Sequence, residues 1–94
     1  ANLATEVEAA KLLVYRAAEA KRTKDRFSVE AAQAKLFAAE TAMDVTTKCV
    51  QLLGGYGYIR EYEVERMMRD AKITEIYEGT SEVQRMVISG DLLK

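Results

Sequence analysis

The run from Ser28 to Leu53 contains no proline and carries two adjacent apolar stripes. Val29, Ala32, Leu36, Ala39, Met43, Thr46, Val50 and Leu53 recur at helical spacing along one line; Ala31, Ala34, Ala38, Ala42, Val45, Cys49 and Leu52 form the second. A helix with one stripe lies against one surface. A helix with two, the second made mostly of small side chains, has close neighbours on two sides. The remaining face carries Gln33, Glu40, Asp44, Lys48 and Gln51, with Asp44 and Lys48 spaced for an i,i+4 pair. This pattern predicts the central helix of a bundle. No proline occurs anywhere in the 94 residues and alanine is abundant, so long helices are favoured over sheet.

Around that helix the chain divides readily. Leu3, Val7, Ala10, Val14 and Ala17 predict a first amphipathic helix from about Leu3 to Lys21. The basic stretch "AKRTKDRFS" (Ala20 to Ser28) follows as a solvated helix end and loop, its cations suited to a helix C-terminus. Ser28 is the expected N-cap of the central helix, with Glu30 in the first turn. "GGYGY" (Gly54 to Tyr58) ends it, Gly54 or Gly55 taking a left-handed position and Gly57 keeping the loop permissive. A short helix is expected over Glu63 to Asp70; "AKITEIY" has no clear period. The last helix begins near Thr80 or Ser81 and sets Val83, Val87 and Gly90 on one face. The fold class is all-α, in one domain spanning residues 1–94, since a chain this short supports a single small core.

Composition excludes several kinds of chemistry. There is no histidine, so a histidine-containing zinc site and a Ser-His-Asp triad are both ruled out, and no metal site is expected. Cys49 is the only cysteine, which forbids an internal disulfide; on its small-residue stripe it is expected to be buried and inert. A net charge of −1 offers no electrostatic reason to bind nucleic acid or an anionic membrane. No apolar run is long enough to span a bilayer. The chain starts at Ala1-Asn2-Leu3 already in helical pattern, so a trimmed part of a longer protein is expected.

Two short patterns could carry chemistry. Glu78 stands before Gly79, Thr80 and Ser81, just outside a helix N-terminus, where a carboxylate is electrostatically comfortable. It is either a capping-region acid or a catalytic base presented at a pocket mouth, and the second role requires it to face inward and be desolvated. "QLLGGYG" could cradle a phosphate through its backbone N–H groups, yet it follows a helix and lacks the spacing of the known phosphate loops. Its simpler reading is a helix C-cap. Tyr56, Tyr58, Tyr62 and Tyr77 are expected to pack with a wet hydroxyl.

In combination these patterns are specific. "QLLGGYGY" (Gln51 to Tyr58) followed by "VERMMRDAKITEIYEGTSEVQR" (Val64 to Arg85) resembles the end of an acyl-CoA dehydrogenase, and the resemblance extends over nearly the whole chain. It implies the C-terminal up-down helical bundle of such an enzyme, here without its first helix. It implies that Glu78 removes the α-proton of an acyl-CoA thioester while the β-hydride passes to FAD, leaving a trans-2-enoyl-CoA. The backbone N–H of Glu78 would then help hold the thioester oxygen, and Gly79 would border the substrate. Thr80, Ser81 and Glu82 match the segment that touches FAD; Gln51, Leu52, Leu53, Gly54 and Gly55 match the segment that reaches the FAD of a neighbouring subunit.

A glutamate at position 78 resembles the short- and medium-chain class, since the base of isovaleryl-type and long-chain relatives comes from another helix. The wording is most similar to butyryl-CoA dehydrogenases of anaerobic bacteria. Where many relatives have proline, this chain has Glu63. The resemblance further implies an electron-transfer flavoprotein as electron acceptor, a homo-oligomer (a tetramer), and a bacterial cytoplasmic or, alternatively, mitochondrial matrix location. The alternative is a self-associating helical domain, catalytically inert on its own because it carries the base without most of the pocket.

Overall fold

A computed structural model describes all 94 residues. Four helices form: α1 (Asn2–Thr23), α2 (Ser28–Leu53), α3 (Val64–Ile73) and α4 (Ser81–Leu92). A 3-10 turn over Gly54–Tyr58 follows α2. The all-α expectation is met, and the ambiguous "AKITEIY" resolves into one further turn of α3 before the chain leaves helical geometry after Ile73.

Every helix packs on α2. Neither α3 nor α4 packs against α1, so the bundle is open and α2 is its hub. The pairing of Arg16 with Gln33 on one side fixes α1 antiparallel to α2. On the other side, α3 starts beside the end of α2 and finishes where Lys35 reaches Thr74. Then α4 continues in the same direction: Arg85 pairs with Glu40, Ile88 lines a cavity with Leu36 and Phe37, and Asp91 lies by Val29 and Glu30. Thus α3 and α4 run end to end along a single long helix.

The close neighbours that the two stripes of α2 require are present, and the residues that meet them are small. Every buried apolar side chain is alanine: Ala10 and Ala20 on α1, Ala32, Ala34 and Ala39 on α2, and Ala71 on α3. Small side chains let helix backbones approach closely, but each removes only one methyl from water, about 0.8 kcal/mol per carbon. No large side chain is fully buried.

Some facing assignments shift. On α1 the inward residues are Leu3, Ala10, Leu13, Ala17 and Ala20, whereas Val7 and Val14 flank that line and are exposed. On α4, Val83, Val87 and Gly90 face outward, and Ser81, Gln84 and Ile88 turn toward α2. Ser28 is the first residue of α2 rather than its cap; Phe27 holds the cap position and offers no side-chain bond. Cys49 is half-buried.

The glycine turn behaves as its composition requires. Gly54 has φ +63°, a conformation that side-chain-bearing residues seldom adopt. Gly57 is needed for a different reason. A Cβ there would lie 2.6 Å from the Val50 carbonyl oxygen and 3.0 Å from the Leu53 Cβ, so the turn closes on the end of α2 only without one.

Exposed ion pairs decorate the helices: Lys24–Glu30 at 3.0 Å, Asp44–Lys48 at 3.1 Å as the spacing predicted, and Glu65–Arg69 at 2.7 Å. Their hydrogen bonds hold the Glu30, Asp44 and Glu65 carboxyls below their ordinary range. Glu6 on α1 moves the other way, because hydrogen bonding toward the Asp44 carboxylate across the α1–α2 seam, with burial and the negative charge of Asp44 adding to it, favours its neutral form.

Two outcomes are expected in thermal melts followed by circular dichroism. Gly57→Ala should lower stability by roughly 1–3 kcal/mol through overpacking, while Gly55→Ala, with nothing within 4 Å of the added methyl, should leave it unchanged. The pH dependence has a definite sign. The stabilisation from Glu30, Asp44 and Glu65 is present at neutral pH and disappears as pH falls through their depressed values. That from Glu6 is present below its ordinary 4.5 and disappears as pH rises. Melting temperature should therefore decline in acid, and Glu6→Gln should raise it slightly at pH 7 but not at pH 3.

Candidate functional site

Between α3 and α4 the chain makes a tight loop, and the cause is visible bond by bond. Tyr77 N–H donates to the Ile73 carbonyl at 2.9 Å and Ser81 N–H to the Glu75 carbonyl at 3.0 Å, closing the loop over Thr74–Thr80. Thr80 is the N-cap of α4: its Oγ1 accepts from Val83 N–H at 3.2 Å. Of the two candidates for that cap, threonine takes it. Gln84, one turn into α4, reaches back and donates to the carbonyls of Glu78 and Gly79 at 3.3 Å each.

Glu78 sits at the apex with φ +55°, the one residue other than glycine with a positive φ. That conformation costs an L-residue roughly 1–2 kcal/mol and persists only where the surroundings impose it. Gly79 follows at φ +91°, and a Cβ on it would stand 2.6 Å from the Gln84 amide nitrogen. Within this chain its glycine character is explained by backbone conformation and by Gln84. Glu78 is exposed on the surface of this chain. The amide N–H groups of Glu78, Gly79 and Thr80 enter no backbone hydrogen bond, so Glu78 carries an unclaimed donor beside its carboxylate.

Lys35 completes the loop, and the sequence patterns passed over it. From the third turn of α2 its Nζ donates to the Thr74 and Gly79 carbonyls, both at 2.7 Å. The available signal was a single cation inside an alanine-rich helix segment, "AAQAKLFAA".

The structure separates the candidate residues into two groups. Glu78, Gly79, Thr80, Ser81 and Glu82 are contiguous at the loop and the start of α4. Ser81 is 5% exposed, and its hydroxyl is enclosed with no hydrogen-bond partner. Glu82 is exposed in the first turn of α4, where the helix dipole favours its charge. Gln51, Leu52, Leu53, Gly54 and Gly55 lie at the far end of α2. Sixteen residues separate Lys35, beside the loop, from Gln51, about 24 Å at the helical rise. Leu52 there is 78% exposed. Tyr56 and Tyr62 stack edge to face at 5.8 Å nearby, but they too are largely open to solvent. No group of side chains is arranged to hold a metal ion. No helix is long and apolar enough to cross a membrane.

Comparison with known proteins places this helical fold in a family. The model of the acyl-CoA dehydrogenase C-terminal domain matches residues 1–93, and the chain belongs to that family. It is 62% identical over all 94 residues to the short-chain specific acyl-CoA dehydrogenase of Clostridium acetobutylicum, covering 25% of that protein. It is 56% identical, again over its whole length, to the caffeyl-CoA reductase–Etf complex subunit CarC of Acetobacterium woodii, of which it covers 25%. Among solved structures, butyryl-CoA dehydrogenase from Megasphaera elsdenii superposes with a TM-score of 0.93 at 58% identity, over 96% of this chain and 24% of that one. The chain thus spans about a quarter of the length of these relatives.

The strain at Glu78 is directly testable. Glu78→Gly removes the penalty of positive φ and should leave melting temperature unchanged or raise it by a few degrees. Glu78→Val, β-branched, should lower it. Calorimetry on the three proteins checks the order.

Proposed function

We propose that this chain is the C-terminal helical domain of a flavin-dependent acyl-CoA dehydrogenase acting on short-chain acyl-CoA thioesters, with Glu78 as the base. The observation that carries this reading is the loop itself. It holds a carboxylate at an unfavourable φ of +55°, fixed by hydrogen bonds from α2 and α4 on either side, and leaves the amide N–H of the same residue free. A carboxylate accepts the α-proton of a thioester, and a backbone N–H beside it supports the carbonyl oxygen as negative charge develops there. One residue supplies both when the backbone is turned as it is at Glu78. Gly79 keeps the acyl group's approach clear. Desolvation of the carboxylate then falls to parts of the enzyme outside these 94 residues, which raise its basicity by excluding water.

FAD, when bound, supplies the acceptor for the β-hydride, so that proton and hydride leave adjacent carbons and the product is a trans-2-enoyl-CoA. Thr80 and Glu82, at the accessible start of α4, suit contact with a polar group of such a cofactor, while Ser81 between them keeps its hydroxyl enclosed within this chain. Gln51 to Gly55, about 24 Å along α2 from the loop, are too distant to join the same face. Their exposure fits contact with the cofactor of a neighbouring subunit, hence a homo-oligomer, with four subunits as the family resemblance implies. An electron-transfer flavoprotein as partner is supported by the relative named as part of a caffeyl-CoA reductase–Etf complex, and its role as electron acceptor is what the family resemblance implies. That relative's name also specifies a different acyl group, so chain length is drawn from the short-chain relatives and from Glu78. A cytoplasmic location in a bacterium accords with the bacterial relatives.

The alternative, a self-associating helical domain, is favoured by the exposed apolar side chains of Leu52, Tyr58, Met86 and Leu93. It applies to these residues when separated from the rest of an enzyme.

Glu78→Gln in the full-length enzyme should abolish dehydrogenation of butyryl-CoA, by about 10³-fold or more, while flavin content stays at the wild-type level. Absorbance of the bound flavin on mixing with substrate measures both. Retained turnover would refute Glu78 as the base.

A further inference from the structure

We infer that Lys35 is a positioning residue for Glu78, clipping the loop between α3 and α4 into the shape that presents the carboxylate. This rests on the reading of Glu78 as base.

The bonding pattern is unusual for a lysine. None of the ion pairs in the chain involves Lys35. Its half-buried ammonium is directed instead at two main-chain carbonyls, Thr74 and Gly79, at 2.7 Å each. Those two residues bracket Glu75–Glu78. A single cation therefore ties together the point where the chain leaves α3 and the point just after the strained glutamate. Charge-assisted bonds of this length are about twice as strong as neutral ones, and partial burial limits the water that could replace them.

Anchoring α4 to α2 does not require Lys35, because Arg85 pairs with Glu40 one turn further on. Nor does closing the loop, since Ser81 N–H already bonds the Glu75 carbonyl. What Lys35 adds is control of the Gly79–Thr80 peptide plane, one peptide beyond Glu78. Gln84 assists from the other side with longer bonds of 3.3 Å. Without the ammonium, relaxation of Glu78 toward negative φ would move its carboxylate and turn its N–H. Misplacement of a reacting group by about 1 Å can lower a rate by roughly 10²-fold.

The test uses the full-length, flavin-loaded enzyme with butyryl-CoA. Lys35→Met should lower kcat by about 10- to 100-fold with KM and flavin content close to wild type. Exchange of the substrate α-proton with D2O, which reads the base alone, should slow by a similar factor. Lys35→Arg keeps a cation with at least two donors and should recover most of the loss. If Lys35→Met fails to fold, Lys35→Gln, too short for both carbonyls, is read in the same way.

A Lys35→Met enzyme within about 2-fold of wild type, beside an inactive Glu78→Gln, would overturn the positioning role and leave the base assignment standing. So would a Lys35→Arg enzyme no faster than Lys35→Met, or a loss of rate matched by loss of flavin or of melting temperature, which marks a purely structural lysine. Turnover by Glu78→Gln would instead remove the base assignment, and this inference with it.

Discussion

Close approach of helix backbones across alanine is the constraint on which the rest of this structure depends. Ala32, Ala34 and Ala39 let α2 take neighbours on two sides at once, with Ala10, Ala20 and Ala71 answering from α1 and α3. Because the other three helices pack on α2 and not on one another, the position of each is defined relative to that one rod. The same choice of side chain limits what these residues can bury. Methyl groups contribute little transfer energy each, and large apolar residues such as Leu52, Tyr58, Met86 and Leu93 remain on the outside. A surface of this kind suits a part whose remaining faces are covered in a larger assembly.

The loop between α3 and α4 depends on that rod directly. A strained glutamate cannot hold its conformation unaided, and the stabilisation comes from outside the loop: Lys35 from the first half of α2 and Gln84 from within α4. Thr80 adds the cap that begins α4 immediately after the loop. Helix start and candidate base are thus parts of one arrangement. The break after Ile73 frees a carboxylate and an amide N–H from helical hydrogen bonding, and the cap confines the irregularity to a few residues.

Much of this was legible in the chain. The two stripes of α2, the glycine end of that helix, the threonine cap of α4 and the Asp44–Lys48 pair follow from local rules of periodicity, capping and spacing. Facing was less legible. Val7 and Val14 resemble core residues by hydropathy, yet the line that meets α2 runs through Leu3, Ala10, Leu13, Ala17 and Ala20, because the face where α1 approaches α2 most closely is centred on the alanines and leaves the valines to one side. Gly57 likewise reads as one more permissive residue, and only the approach of the Val50 carbonyl shows why a methyl group is excluded.

The sequence by itself determined the all-helical class, the order and approximate ends of the helices, and the identity of the glutamate loop, since these rest on interactions among residues a few positions apart. Tertiary structure alone decided that Glu78 is held at positive φ, that Lys35, more than forty residues away, is one of the groups holding it, and that Gln51–Gly55 lie at the far end of α2, about 24 Å along the helix from Lys35. Those facts depend on which carbonyl a distant ammonium meets and on the length of a rigid helix. Neither is encoded in any short run of residues, because each is a distance between segments that only the packing of helices on α2 brings into relation.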